Sequence, residues 1–191
     1  MSRKMQNTYD DLEKFIERAD EPGQLPYPVL EPADMLVLAE RIARYAHMEQ
    51  TDRSGAPYIG HIERVVQNLL RRWPDSTVYE IAAAWLHDVV EDTCWDTATL
   101  HLAGIPLDVT RIIDEVSRPP QGTYLEWIQS LAASGSISAV HVKVADNYDN
   151  SSPERVASIP EGPDMLRKRY QPARVLLEAR VAASDMKVRT P

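Results

Sequence analysis

His87 and Asp88 interrupt an otherwise apolar stretch, Ala83-Ala84-Trp85-Leu86-His87-Asp88-Val89-Val90-Glu91-Asp92. On a helix, residues four apart share a face, so His87 stacks with Glu91 and Asp88 with Asp92, one turn further on. An imidazole and a carboxylate from neighbouring positions can bind one cation from adjacent directions. Buried polar groups need partners, and a metal ion is one that suits this pair. Two further ligand candidates are His61, which follows Pro57-Tyr58-Ile59-Gly60 at a helix start, and Asp146, which emerges from the apolar stretch Val142-Lys143-Val144-Ala145. Two His and two Asp would leave positions open for water and substrate, as a catalytic rather than a structural metal site requires. Glu91 and Asp92 could accept a proton from water held at such an ion. Taken singly, each residue has a plain explanation: a helix-surface pair, a satisfied core histidine, a solvated charge.

The elements that must position these groups are helical. Apolar residues recur at helical spacing in most segments, and alternating runs of β-branched and aromatic residues are missing, so the fold class is all-α. Thr8 followed by Asp11 resembles a capping box and opens a short helix through about Ala19, after which Pro22, Pro26, Pro28 and Pro32 interrupt any helix. Spacing predicts helices over about 33–48, 60–72, 77–92, 96–103, 107–117, 123–133 and 137–149, and a last one over about 163–183 that tolerates or kinks at Pro172. Residues 1–32 therefore read as an appended helix and Pro-rich linker, 33–185 as one domain, and 186–191 as a tail. Trp73, Trp85 and Trp127 read as core residues.

At 191 residues, the chain can bury roughly two-thirds of its unfolded surface. The net charge of −8 argues against nucleic acid polymers and anionic membranes as partners, while a small anionic ligand stays compatible if a metal and local cations reverse the field. The single cysteine, Cys94, allows no internal disulfide, and no apolar run is long enough to span a bilayer. With no signal-peptide pattern at the N-terminus, the expectation is a cytoplasmic protein. Composition leaves self-association into a homo-oligomer open.

Three motifs occur in a telling order: Ala46-His47-x-x-Gln50 followed by Ser54-Gly55-Ala56-Pro57-Tyr58-Ile59-Gly60-His61; the His87-Asp88 segment through Thr93; and Val142-Lys143-Val144-Ala145-Asp146-Asn147-Tyr148-Asp149-Asn150. Together they resemble the HD superfamily of metal-dependent phosphohydrolases, and within it the hydrolase domain of RelA/SpoT-like alarmone enzymes, over about residues 33–180. The resemblance implies a single HD-domain helical bundle in which His61, His87, Asp88 and Asp146 ligate one divalent metal. Manganese is usual there, with zinc, cobalt and iron as alternatives. It implies that Glu91 and Asp92 assist the attacking water. It also marks His47, Arg53, Tyr58, Arg118, Lys143, Asn150, Arg169 and Tyr170 as candidates for binding a small anionic nucleotide. His47, at a helix end, could equally be a surface group. Asp52 stands where the family often has a basic residue, and Ile62 where proline is common.

The activity this implies is hydrolysis of a nucleotide (pyro)phosphate ester, with (p)ppGpp and loss of its 3′-pyrophosphate as first candidate. Asp52 keeps a second substrate class in view, another nucleotide such as a deoxynucleotide or NADPH. A non-catalytic nucleotide-binding HD module is the alternative of a different kind, although such a module has no chemical need for Glu91-Asp92.

Overall fold

Local sequence signals set most helix starts. In the computed structural model, which describes residues 30–189, Thr77 accepts from the Glu80 amide while the Glu80 carboxylate accepts from the Thr77 amide, a complete capping box. Thr123 and Glu126 repeat it, and Asp96, Ser136 and Ser152 cap with one side chain each. The helices are α1 Pro32–Ala46, α2 Ile59–Arg72, α3 Val78–Leu86, α4 Val89–Asp92, α5 Thr97–Leu102, α6 Leu107–Val116, α7 Tyr124–Ser134, α8 Ile137–Asn150, α9 Pro153–Ser158, α10 Gly162–Met165 and α11 Gln171–Arg189. Among the described residues there is no strand, only an isolated bridge between Thr51 and Pro57. The fold is all-α. No described helix is long and apolar enough to cross a membrane.

Helices α2, α3 and α8 cross at the centre, with α1 and α6 packed on α3, and α11 packed on α7 and α8. The Ala82-Ala83-Ala84 run is fully buried and lets neighbouring backbones approach α3 closely. Ile62 and Leu69 from α2, Leu86 from α3, and Val140 and Val142 from α8 fill the space between. Each such side chain is worth roughly 1.5–3 kcal/mol of burial. Helix α8 is buried almost all round, and its enclosed residues include Lys143, Asp146, Asn147 and Asp149. Four such polar groups on one helix cost stability unless they pair with one another or with a ligand.

Several expectations change. The segment 77–92 is not one helix: it breaks at His87-Asp88, where Asp88 adopts φ −102° and ψ −4° before the chain winds again as α4. The His87 imidazole inserts into the helical ladder, donating from Nδ1 to the Ala84 carbonyl at 2.9 Å, and such an insertion is an ordinary cause of a kink. The helix expected over 163–183 begins at Gly162, passes through a π-helical turn over Leu166–Tyr170, and continues as α11 to Arg189, beyond the boundary expected at 185. Pro172 supplies no amide hydrogen, and the wider turn just before it absorbs the mismatch. Short α9 opens on Ser152-Pro153-Glu154, a cap, a proline at the first helical position and an acidic first turn, a start signal absent from the expected helices. Trp127 is in the core, but Trp73 and Trp85 are only partly buried against it, while Trp95 is enclosed. The helix expected from Thr8 and the Pro-rich linker lie outside the described residues.

Gly162 marks where α10 meets α9. A β-carbon built there would collide with the backbone of Val156. Gly162→Ala should therefore cost about 2 kcal/mol in urea unfolding, a typical overpacking loss; an unchanged midpoint would show that the contact yields freely.

Candidate metal centre and cavity

His61 opens α2, His87 and Asp88 occupy the break between α3 and α4, and Asp146 lies in the last turns of α8. The crossing of these helices brings all four together. His61 Nε2 stands 3.4 Å from Asp88 Oδ2 and 3.4 Å from Asp146 Oδ1; His87 Nε2 stands 3.1 Å from Asp88 Oδ2 and 3.8 Å from Asp146 Oδ1. The ligand atoms of His61, His87 and Asp88 all lie within 4.8 Å of one another. Donors bound about 2.1 Å from a common ion sit about 3.0–3.4 Å apart for right-angle to tetrahedral geometry, so the spacing suits a shared cation.

Each group is held from behind. His61 Nδ1 donates to Asp149 Oδ2 at 2.6 Å, which leaves Nε2 as the free lone pair. The His87 bond to the Ala84 carbonyl has the same effect, and His87 Nε2 is buried with no hydrogen-bond partner. Tyr58 Oη donates to Asp88 Oδ2 at 2.6 Å, while Asp146 accepts from the Lys143 ammonium at 2.8 Å and from the Asn150 amide. Two imidazole lone pairs thus face two carboxylate oxygens in a nearly closed space. Such an array repels itself unless protons or a cation fill the gap, and the donor set fits a divalent metal.

The charge balance shows how strong that demand is. Burial opposes protonation of His61, yet its bonds to Asp146, Asp149 and Asp88 outweigh burial and hold the imidazole at about 10. Burial likewise works against a charged His87, and Asp88 reverses it upward. Asp88 and Asp146 run the other way: burial disfavours their charge, but the histidines, and Lys143 at Asp146, hold both well below the usual carboxylate range. Glu91 and Asp92 are raised, chiefly by burial and then by the nearby Asp88 charge.

A cavity of about 330 Å³ opens beside this cluster. Of the substrate-binding candidates, Arg53, Tyr58, Asn150, Arg169 and Tyr170 line it, together with Asp92. Arg169 stacks on Tyr124 at 4.5 Å, and its Nε is buried without an acceptor. His47, Lys143 and Arg118 are placed elsewhere. His47 is buried rather than on the surface, its Nδ1 bonded to Gln50 and its ring 5.0 Å from Tyr58. Lys143 lies under Trp127 at 4.5 Å and pairs with Asp146. The backbone amide of Arg118 donates to Glu91 Oε1 at 2.7 Å, and its guanidinium donates to the Gly122 carbonyl. Adjacent on α4, Glu91 and Asp92 point about 100° apart: Asp92 reaches the cavity while Glu91 turns to the loop after α6.

Gln50 and Asp149 stand within the sequence motifs but carry no predicted role, and Arg64 lies outside them. Asp149 is 3% exposed and ties His61 to Arg64 and Arg155. Its signal was spacing alone: Asp149 lies three residues beyond Asp146, and Arg64 three beyond His61, each on the face of its partner. Gln50 joins His47 to the Asp92 carbonyl.

Scans of protein-family models and of curated proteins found no match. Among solved structures the chain is similar to a metazoan protein described as "A metazoan ortholog of SpoT hydrolyzes ppGpp and plays a role in starvation responses". Identity is 23%, the TM-score 0.56, and the match covers 85% of this chain and 98% of that one. That likeness is one of fold: the two chains share an all-α helical bundle.

Two outcomes follow from the charge balance. In metal-free protein, His61 binds its proton more tightly folded than unfolded, so its contribution is complete below about pH 6.5 and is lost as pH rises toward 10. Urea unfolding in chelator should show a fall on the order of a few kcal/mol across that window, absent from His61→Gln. Asp149→Asn should weaken divalent-metal binding by about 10- to 100-fold in calorimetry, as loss of a carboxylate behind a ligating histidine does; unchanged affinity would mean that Asp149 only anchors the arginines.

Proposed function

We propose that this protein is a metal-dependent nucleotide phosphohydrolase, and that its first substrate is (p)ppGpp, cleaved at the 3′-pyrophosphate. The observation that carries the reading is the facing set of His61, His87, Asp88 and Asp146 atoms at 3.1–3.8 Å beside a cavity that presents Arg53 and the unpartnered Arg169 Nε. The hydrolysis of ppGpp described for the structurally similar metazoan protein supports the same substrate class.

A divalent cation held by these four residues, manganese in the first instance, with zinc, cobalt and iron also compatible, would supply a lowered water pKa and a Lewis acid for a phosphoryl oxygen. The chain's own groups divide the remaining work. Tyr58 and Lys143 keep Asp88 and Asp146 oriented through their 2.6 Å and 2.8 Å bonds. Asp92, at the cavity wall with its pKa raised by burial, is placed to accept a proton from the attacking water. Glu91 positions Arg118 through its bond to the Arg118 amide. Arg53 and Arg169 offset phosphate charge, and Asn150 and Tyr170 bind the sugar end of the nucleotide.

The Asp52 carboxylate gives a reason to screen other nucleotides. It lines the same cavity and is an anion where a basic residue would offset phosphate charge, and its Oδ1 accepts from the Ser54 and Ala56 amides and the Ser54 hydroxyl. Purified protein with manganese should be offered ppGpp, deoxynucleotides and NADPH, with phosphate and pyrophosphate release measured. Asp88→Ala should abolish both metal retention and turnover. Asp92→Asn should keep the metal and slow turnover by about 10²- to 10⁴-fold, the usual range for a lost general base. Release from none of these nucleotides by metal-loaded protein would remove the enzymatic reading and leave a binding module.

A further inference from the structure

Asp149 stands between the metal centre and a second cavity, which meets the first along Asp52, Ser54, Arg155 and Ser158. Its Oδ2 accepts from His61 on the side of the metal centre, and its Oδ1 accepts from Arg64 on the other. Beyond Arg64 lies that second cavity, of about 720 Å³, whose wall includes none of His61, His87, Asp88, Asp146 or Tyr58. Four arginines border it, Arg64, Arg71, Arg155 and Arg174, against three carboxylates, Asp52, Asp149 and Glu154. That local excess of positive charge runs against a chain with 21 basic and 29 acidic residues.

Two of the carboxylates are already committed. Asp149 is bonded to His61 and Arg64 and lies 3.3 Å from Arg155, while Asp52 Oδ1 holds its own loop. Arg71 and Arg174 differ from the other two arginines. Arg71 donates to Asn68 Oδ1 at 3.2 Å; Arg174 donates to Asn147 and Ser151 and packs 4.4 Å over the Tyr148 ring. Among the described residues neither pairs with a carboxylate, although Arg72 beside them does, with Glu178 at 2.6 Å. Arg155 Nη1 is buried and makes no hydrogen bond, but it is ion-paired with Asp149 at 3.3 Å and Asp52 at 3.7 Å, so the free capacity rests with Arg71 and Arg174. Guanidiniums that share a concave site and have only neutral partners are matched by an anion with several oxygens, and phosphate accepts their paired N–H groups in the required geometry. The volume suits a ligand of nucleotide size, since such sites span roughly 300–1,000 Å³.

We propose that this cavity is a second anion site, separate from the metal centre, that binds a di- or polyphosphate through Arg71 and Arg174. A bound anion competes with Asp149 for Arg64 and Arg155, and Asp149 is the group that orients His61. Occupancy is therefore felt at the metal centre. Binding does not depend on the hydrolase reading; the regulatory consequence does.

The test is calorimetric titration of the full chain, stripped of metal with chelator, with inorganic pyrophosphate. Wild type should bind. Arg71→Glu, at an exposed position with one neutral partner, should weaken binding by about tenfold or more, as loss of a charged hydrogen bond does. Arg174→Lys, which keeps the charge and loses the fork, should also weaken it. Asp88→Ala and Arg53→Ala, which alter the metal centre and the first cavity, should bind as wild type does. Circular dichroism melting of each variant separates binding loss from unfolding. Absence of binding in wild type overturns the proposal. So does binding that survives Arg71→Glu and Arg174→Lys, or binding lost in Asp88→Ala or Arg53→Ala, which would place pyrophosphate at the metal centre. Repeating the titration with GDP and ADP distinguishes the source: tighter binding than pyrophosphate, still sensitive to Arg71→Glu, supports a nucleotide effector, and equal binding supports the free anion.

Discussion

Two imidazole lone pairs and two carboxylate oxygens face each other across 3.1–3.8 Å in the middle of this bundle, and each would be costly there alone. What makes the arrangement tenable is that every member is restrained from behind by a different kind of partner. A buried carboxylate orients His61, a backbone carbonyl orients His87, a phenol holds Asp88, and an ammonium with an amide holds Asp146. The site is thus preorganised for a positive charge by groups that are themselves paired, which is the condition for keeping ionised side chains in a core.

The surrounding packing serves that condition. The buried alanines of α3 draw α1 and α2 close, so that His61 and His87, on different helices, lie with ring centroids 5.4 Å apart. The break after Leu86 then turns Asp88 toward His61 and sends Asp92 to the cavity. In a continuous helix successive side chains point about 100° apart; here the break falls at His87 and Asp88, whose Nε2 and Oδ2 atoms stand 3.1 Å from each other. The kink that departs from ideal helix geometry therefore occurs where two adjacent residues must converge.

Electrostatics divides the molecule into regions with separate tasks. The chain is acidic, yet arginines gather on the walls of both cavities, and Arg155 and Asp52 border both. Asp149 links the regions most directly, because one carboxylate answers an imidazole on one side and guanidiniums on the other.

The helical class and most helix limits were legible in the sequence, and the family resemblance implied that His61, His87, Asp88 and Asp146 gather. Apolar periodicity, capping residues and polar interruptions of buried stretches are local signals that survive without the third dimension. The family resemblance also pointed to Arg53, Tyr58, Asn150, Arg169 and Tyr170, which line one cavity. The break at His87 was not legible, because it arises from an imidazole taking a carbonyl in its own helix, a competition that periodicity does not register. Nor was the separation of His47, Lys143 and Arg118 from that cavity, since a residue's neighbours across helices depend on how the helices cross. Asp149 is the clearest case. By sequence it is one more acid near the end of a helix; only the crossing of α2 and α8 sets it against His61, 88 positions away, and makes it the support for the imidazole. Residue type and spacing determined which groups could do chemistry, and helix packing decided which of them meet, because contact between distant segments is a property of the crossing and not of either helix alone.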